Sequence, residues 1–230
     1  MNIKECDIIM LSNTKSHKEL EMTQNALNSL LKSEDLINFN IILVETNYEL
    51  KTIFPRAYEQ YHNLRLIIPN EEFNFNRFVN LAIANCQNPL IGILNNDVVF
   101  EPLWLSKIIT AMNDFNLDSA SSFCPEANTH KGLENKISIG WNVSREFSGW
   151  CIVLKREALN KILPLDEQFK FWCVDNDMAM SLSNLNLKHA LIGDSIVHHL
   201  GGQTLFTQSD ETISHLTGDM VKLFTKKYKK

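Results

Sequence analysis

No stretch of this 230-residue chain approaches the ~18 uninterrupted apolar residues of a membrane-spanning helix, so no spanning segment is expected. Glu5 and Asp7 interrupt the place where an export signal carries its apolar run, and the expected compartment is cytoplasmic. Cysteine is sparse and unpatterned: Cys6, Cys86, Cys124, Cys151 and Cys173 contain no CxxC pair, and an odd number cannot all pair within one chain, which reads as reduced thiols. Neither GxGxxG nor GxxxxGK[ST] follows any apolar run, which removes the usual dinucleotide and P-loop readings. A Cys/His metal cluster and a GxSxG are also missing. Positive charge is not in excess: 22 Lys and Arg against 27 Asp and Glu leave a net charge of -5, with no global attraction to nucleic acid or anionic lipid. A nucleic-acid partner is therefore possible but not favoured. Repeats, low-complexity tracts and Gly/Ser linkers are absent, and 44% hydrophobic residues suffice for one core in one domain.

What is present is an alternation. Short apolar runs at Asp7 to Leu11, Ile41 to Glu45, Leu64 to Ile68 and Leu90 to Leu94 read as strands. Between the first two, Leu20, Leu27, Leu30 and Leu31 recur at helical spacing from about Lys18, with Ser16 as N-cap. Phe75, Phe78, Val79, Ala82 and Ile83 give a second amphipathic helix, and Trp104 to Phe115 a third, begun by Pro102. The alternation is that of βαβ units feeding a parallel sheet. From Ser119 to Ile139 the period is lost, and a short strand with a mobile loop is expected. Gly149 to Lys155 reads as a strand followed by a helix from Arg156, Asp175 to Leu185 as a helix, Ala190 to His198 as a strand pair or bent strand, and Thr212 to Lys227 as a C-terminal helix.

Four places carry candidate chemistry. Asn95-Asn96-Asp97 follows the fourth run, and ligands of open parallel sheets bind beyond the carboxyl ends of strands. Asp97 there suits a hard divalent cation held against a diphosphate, while the same tripeptide also suits a turn that caps the next helix. Asp175 and Asp177 occupy the first turn of a helix and point to different faces, as a base and its partner would, or as two acids favouring the helix N-terminus. In Ile196-Val197-His198-His199-Leu200-Gly201-Gly202 adjacent histidines of an extended segment face opposite ways, so one of them reaches a ligand, or the pair is structural and the glycines mark a turn. Ser12-Asn13-Thr14 and Glu45-Thr46-Asn47 end two runs on the edge shared with Asp97, either to hold a base and ribose or as ordinary loops.

The order and spacing of these segments, with Phe73 to Ile83 ahead of the strand that ends in Asn95-Asn96-Asp97, then Gly149-Trp150, Leu165 to Phe169, Val174 to Asp177 and a histidine at His198, resemble the family-2, GT-A-type glycosyltransferases, including rhamnosyltransferase-like members, over about Asp7 to Thr204. The resemblance implies a single α/β domain with a Rossmann-like, mostly parallel sheet flanked by helices, residues 1–97 forming a nucleotide-sugar half and 98–230 an acceptor and catalytic half. It implies a metal-dependent, inverting transfer of a sugar from a nucleotide diphosphate, with UDP the expected nucleotide, to a hydroxyl, most often on a glycan. Asp97 and His198 would hold Mn2+ or Mg2+. Ser12, Asn13, Thr14, Glu45, Asn47, Asn80, Asn95 and Asn96 would bind the donor. Gly149, Trp150 and Trp172 would contact the acceptor, with Asp175 as base and Asp177 in support. Asn95 and Asn96 stand where the family has acids, and Val174 where it often has Glu. Two other readings remain: a transferase acting on a hydroxymethylated DNA base, and a non-catalytic nucleotide-sugar binding module.

Overall fold

The computed structural model describes residues 5–201 and 210–228, with the side chains of 210–216 left aside. The four apolar runs are parallel strands β1 (Glu5–Ser12), β2 (Asn38–Glu45), β3 (Leu64–Ile67) and β4 (Leu90–Asn95), joined through α1 (His17–Lys32), the short α2 (Phe54–Ala57) and α3 (Phe75–Ile83). Then follow β5 (Val98–Phe100), α4 (Trp104–Asp114), β6 (Ser119–Phe123), β7 (Ile137–Ile139), β8 (Cys151–Lys155), α5 (Arg156–Leu159), α6 (Val174–Asn184), β9 (His189–His199) and α7 (Asp210–Tyr228).

Local chemistry starts the helices where the sequence places them. The Ser16 hydroxyl accepts the Glu19 amide at 3.3 Å, and the Glu19 carboxylate reaches back to the Lys15 amide at 2.7 Å, so one orphaned donor of α1 and the amide just before its cap are satisfied. Asn74 caps α3 through the Arg77 amide at 3.1 Å. Two helices begin differently: α4 and α6 follow Leu103 and Cys173, both in the left-handed region (φ 63° and 62°), and neither has a side-chain cap.

The described strands form one sheet in the order β3-β2-β1-β4-β8-β6-β9-β5, with β7 added to β9. The first four are parallel; β8 runs antiparallel to β4 and β6, and the second half of the sheet is mixed. Successive residues of β1 serve opposite faces. Ile8 and Met10 pack with Leu27, Leu30 and Trp104 from α1 and α4, whereas Ile9 packs with Phe78, Val79 and Leu182 from α3 and α6. The chain is thus a mixed α/β domain with helices on both faces.

Several segments differ from their sequence reading. Ser119 to Ile139, expected as a short strand and a mobile loop, holds the short strand β6 and in addition a 3-10 turn at Asn128–His130 and a second strand, β7. The small side chains of β6 are fully packed between β8 and β9, which is why no hydrophobic period marks them. Of the two alternatives for Ala190 to His198, a strand pair or a bent strand, the structure has one strand, whose pairing with β6 shifts register between Ser122 and Phe123. The five cysteines are unpaired and buried. Among the described residues no helix is long and apolar enough to cross a membrane. Gly202, Gln203 and Thr204 lie outside the described residues.

At the edge opposite the strands' carboxyl ends, Asp7 is buried and saturated. Its carboxylate accepts the amides of Gln87 and Asn88 at 2.6 Å each, the Asn88 side chain at 2.9 Å and the Arg156 guanidinium at 3.1 Å. Asp7 thereby ties β1 to the turn before β4 and to the start of α5. Replacing it with alanine strands a guanidinium and two amides, and we expect a loss of about 3 kcal/mol in unfolding free energy by denaturant titration. A loss below about 1 kcal/mol would show that water replaces these bonds without cost.

Candidate active site

Parallel pairing sets Ser12 opposite Glu45 and Leu11 opposite Asn95, so three strand ends meet at one edge. Beyond that edge lies a cleft of about 480 Å³. Of the residues singled out in the sequence, Ser12, Asn13, Asn95, Asn96, Asp97, Gly149, Trp150, Trp172 and Asp175 line it. Thr14, Glu45, Asn47, Asn80, Asp177 and His198 are not among its lining residues, and each has other partners.

Glu45 was expected to meet a base, yet it is fully buried beneath the edge. One oxygen accepts the Thr14 and Asn47 amides at 2.9 and 3.2 Å, and the other accepts the Thr14 hydroxyl at 2.7 Å. The Asn47 side chain in turn donates to the Thr14 carbonyl at 2.6 Å. The triad Thr14, Glu45 and Asn47 is therefore a brace that locks the loop after β1 to the loop after β2. A hydroxyl relay continues it, from Thr14 to Ser12 at 3.2 Å and from Ser12 to Thr23 of α1 at 3.0 Å. Asn96 closes the relay by donating to Thr23 at 2.9 Å and Ser12 at 3.3 Å. The turn that carries Asp97 is so pinned to α1. Thr23 escaped the sequence reading because inside a helix a fully buried threonine looks like any core position.

Asp97 is nearly buried, and its Oδ1 makes no hydrogen bond. It lies 3.2 Å from Nε2 of His199 without hydrogen-bond alignment. The expectation that His198 faces this carboxylate is corrected: its neighbour on β9, His199, makes the contact, and adjacent residues of a strand face opposite ways. His198 instead bridges Glu126 at 2.8 Å and Glu101 at 3.1 Å. The Glu126 hydrogen bond raises its pKa, partial burial opposes the rise, and Glu101 adds to it. His199 also contacts Asn95 at 3.4 Å and stacks on Trp150, whose ring lies 5.0 Å away at 13°. On another side, Trp150 packs against His130 at 5.5 Å, a histidine that burial holds down to about 4. Trp150 is thus a fixed wall. A buried carboxylate oxygen without a hydrogen bond, beside an imidazole nitrogen, fits a hard divalent cation. Among the described residues no group of three or more His, Cys, Asp or Glu side chains is placed to hold one, so further ligands would have to come from a bound molecule or water.

Asp175 lines the far side of the cleft, on the first turn of α6. Burial pushes its carboxyl above the usual range, against the opposing hydrogen bond from the Asn176 amide at 2.9 Å. Gly149 packs closely beside it: a methyl group there would come within 3.1 Å of the Asp175 Cβ and Oδ2 and push the carboxylate by a few tenths of an ångström. Trp172, 41% exposed, stands at the rim. Asp177 faces elsewhere and is buried against α7, where Lys227 and Tyr228 each lie 2.7 Å from its Oδ1. Asn80 is also displaced from its expected role: its amide donates to the Leu165 carbonyl at 3.0 Å and accepts the Leu165 amide at 2.9 Å, clamping α3 to the 165–170 loop.

A family profile described as Glycosyl transferase family 2 matches residues 14–163, and the chain belongs to that family. No curated protein matches the sequence. Among solved structures the chain is similar to the mannosyltransferase PcManGT from Pyrobaculum calidifontis in complex with GDP-Man and Mn2+, with a TM-score of 0.69 and 13% identity over 86% of this chain and 57% of that one. It is similar to S. aureus TarS 1-349 in complex with UDP-GlcNAc, with a TM-score of 0.65 and 13% identity over 90% of this chain and 62% of that one. GalNAc-T7 with UDP, GalNAc and Mn2+ gives 0.66 and 9% identity over 86% of this chain and 44% of that one. The chain thus spans less than two thirds of each, and at such identities the likeness shows the fold they share.

The relay beneath the Asp97 turn can be cut at one atom. In Thr23→Val the isosteric change leaves the Asn96 amide and the Ser12 hydroxyl short of a buried partner, and we expect a loss of about 1 to 2 kcal/mol in thermal or denaturant unfolding. Unchanged stability would mean that the relay does not hold the turn.

Proposed function

We propose that the chain is a metal-dependent, inverting glycosyltransferase that moves a sugar from a nucleotide diphosphate to an acceptor hydroxyl, with UDP the favoured nucleotide and a glycan the favoured acceptor. One observation carries this reading: a single cleft is lined by Asp97, with an oxygen free of hydrogen bonds, and by Asp175, whose pKa is raised. The Mn2+ and nucleotide sugars named for the similar structures support the choice of ligands.

Ser12 and Asn13 are the donor contacts on the cleft floor, with Thr14, Glu45 and Asn47 as the brace behind them. Asp97 and His199 would hold Mn2+ or Mg2+, which supplies positive charge where the leaving diphosphate becomes more negative. Asp175 takes the proton from the acceptor hydroxyl as that oxygen bonds to the anomeric carbon, and the bond to the nucleotide diphosphate breaks on the opposite side. A base with a raised pKa accepts that proton more readily than an ordinary carboxylate would. Trp150 and Trp172 offer apolar faces to a sugar ring, and residues 1–97 supply most of the donor contacts while 98–230 supply the acceptor side.

In Asp175→Asn, turnover of a UDP-sugar with Mn2+ should fall by about 10²- to 10⁴-fold while nucleotide affinity is kept. Turnover near the wild-type rate would remove Asp175 as the base. The active form is the carboxylate, so turnover should drop as pH falls through the raised Asp175 pKa, placing the acid limb of the kcat profile above the ordinary carboxylate range near ~3.9. An acid limb at the ordinary value would contradict the burial argument.

The metal assignment has its own measurement. By calorimetric titration, Asp97→Ala and His199→Ala should each weaken Mn2+-dependent nucleotide binding by at least about tenfold, whereas His198→Ala should leave it near wild type. The reverse order between the two histidines would overturn the assignment of His199.

A further inference from the structure

Helix α6 presents Asp175 from its first turn, yet that turn lacks the usual means of being held. Cys173 precedes it with φ of 62° and gives no side-chain cap, and the Asn176 amide is met only by the Asp175 carboxylate itself at 2.9 Å. An uncapped helix start frays, and a base must keep its position within a fraction of an ångström. Asp177, two residues on, is fastened from outside. Its Oδ1 accepts Lys227 Nζ and the Tyr228 hydroxyl, each at 2.7 Å, and Tyr228 also meets the Ser181 hydroxyl at 3.1 Å.

Lys227 reaches a second carboxylate, Asp166 at 2.8 Å. Asp166 belongs to the loop that runs on to Phe171 and Trp172 in the cleft wall, and that loop is held to α3 by Asn76 on the Asp166 carbonyl at 2.9 Å and by the Phe75 amide on the Lys170 carbonyl at 2.7 Å. Phe224 of α7 completes the dock edge-on to Phe169, with ring centroids 6.5 Å apart. One ammonium therefore joins the helix that carries Asp175 to the loop that carries the aromatic rim.

We propose that Lys227, assisted by Tyr228, is a positioning residue: the end of α7 substitutes for the missing cap of α6 and fixes Asp175 relative to the Phe171–Trp172 wall. Its catalytic consequence rests on the transferase reading above. The electrostatics agree with the geometry. Partial burial disfavours the Lys227 ammonium, but the hydrogen bonds with Asp166 and Asp177 outweigh it and hold the amine above its ordinary pKa.

The test uses the full chain with Lys227→Met, Lys227→Arg and Tyr228→Phe. Hydrogen–deuterium exchange should show lost protection over residues 165–178 in Lys227→Met, a smaller loss in Tyr228→Phe, and unchanged protection in β1 to β4. With a UDP-sugar and Mn2+, kcat in Lys227→Met should fall by about 10- to 100-fold, with donor KM within about twofold and most of the rate restored in Lys227→Arg. Wild-type exchange over 165–178 in folded Lys227→Met, or in Tyr228→Phe should Lys227→Met not fold, overturns the proposal. So does a rise in donor KM that accounts for the whole loss of activity. Should the wild-type protein turn over no nucleotide sugar, the transferase reading falls alone, and the exchange measurement still decides whether α7 pins the first turn of α6.

Discussion

Strand β1 lies between β2 and β4, parallel to both, and the rest of the molecule depends on that register. It sets Ser12 opposite Glu45 and Leu11 opposite Asn95, so three chain segments separated by dozens of residues end on one line. The chain moves outward from β1 to β2 and β3, then crosses back to β4 on the other side, and the two loop sets part at this switch, where open α/β sheets bind ligands. Because side chains alternate along a strand, a slip of one residue would turn Ile8 and Ile9 to the wrong faces and carry Ser12 off the edge. The apolar packing on both faces therefore specifies the site as well as the fold.

Carboxylates divide into two kinds around this frame. Asp7, Glu45 and Asp177 are buried and surrounded by donors, so each is a structural joint between segments distant in sequence. Asp97 retains an oxygen without a hydrogen bond, and Asp175 receives a single side-chain hydrogen bond, from the adjacent Asn176 amide, under a burial penalty. A buried acid that is not saturated costs the folded state free energy, a cost that the proposed metal and proton roles would account for.

Much of this architecture was legible in the sequence. The four apolar runs, the Ser16 cap and the helical periods of α1 and α3 are local signals and appear where they were expected. What was not legible depends on partners far along the chain. Asp97 sits in the turn just before the three-residue β5, and it is the folded turn, not any local period, that brings it to His199 rather than His198. Asn80 was expected to bind the donor, but it and its neighbours Asn74 and Asn76 each hold a carbonyl of the 165–167 loop 85 to 93 residues away. Position at the strand ends could be read from sequence; the donor that each polar side chain meets there could not.

The two acids of the cleft also bear on how a donor would bind. In the proposed reaction a nucleotide diphosphate enters a cleft already lined by Asp97 and Asp175, and like charges in a partly desolvated site repel strongly. A divalent cation held by Asp97 and His199 would supply the positive charge that offsets that repulsion at the donor end. Asp175, on the far side, keeps its charge for the acceptor proton. If the chain contributes only the Asp97 carboxylate and the His199 imidazole, the remaining ligands would have to come from the donor or water, so metal and donor would bind as a unit rather than in independent steps.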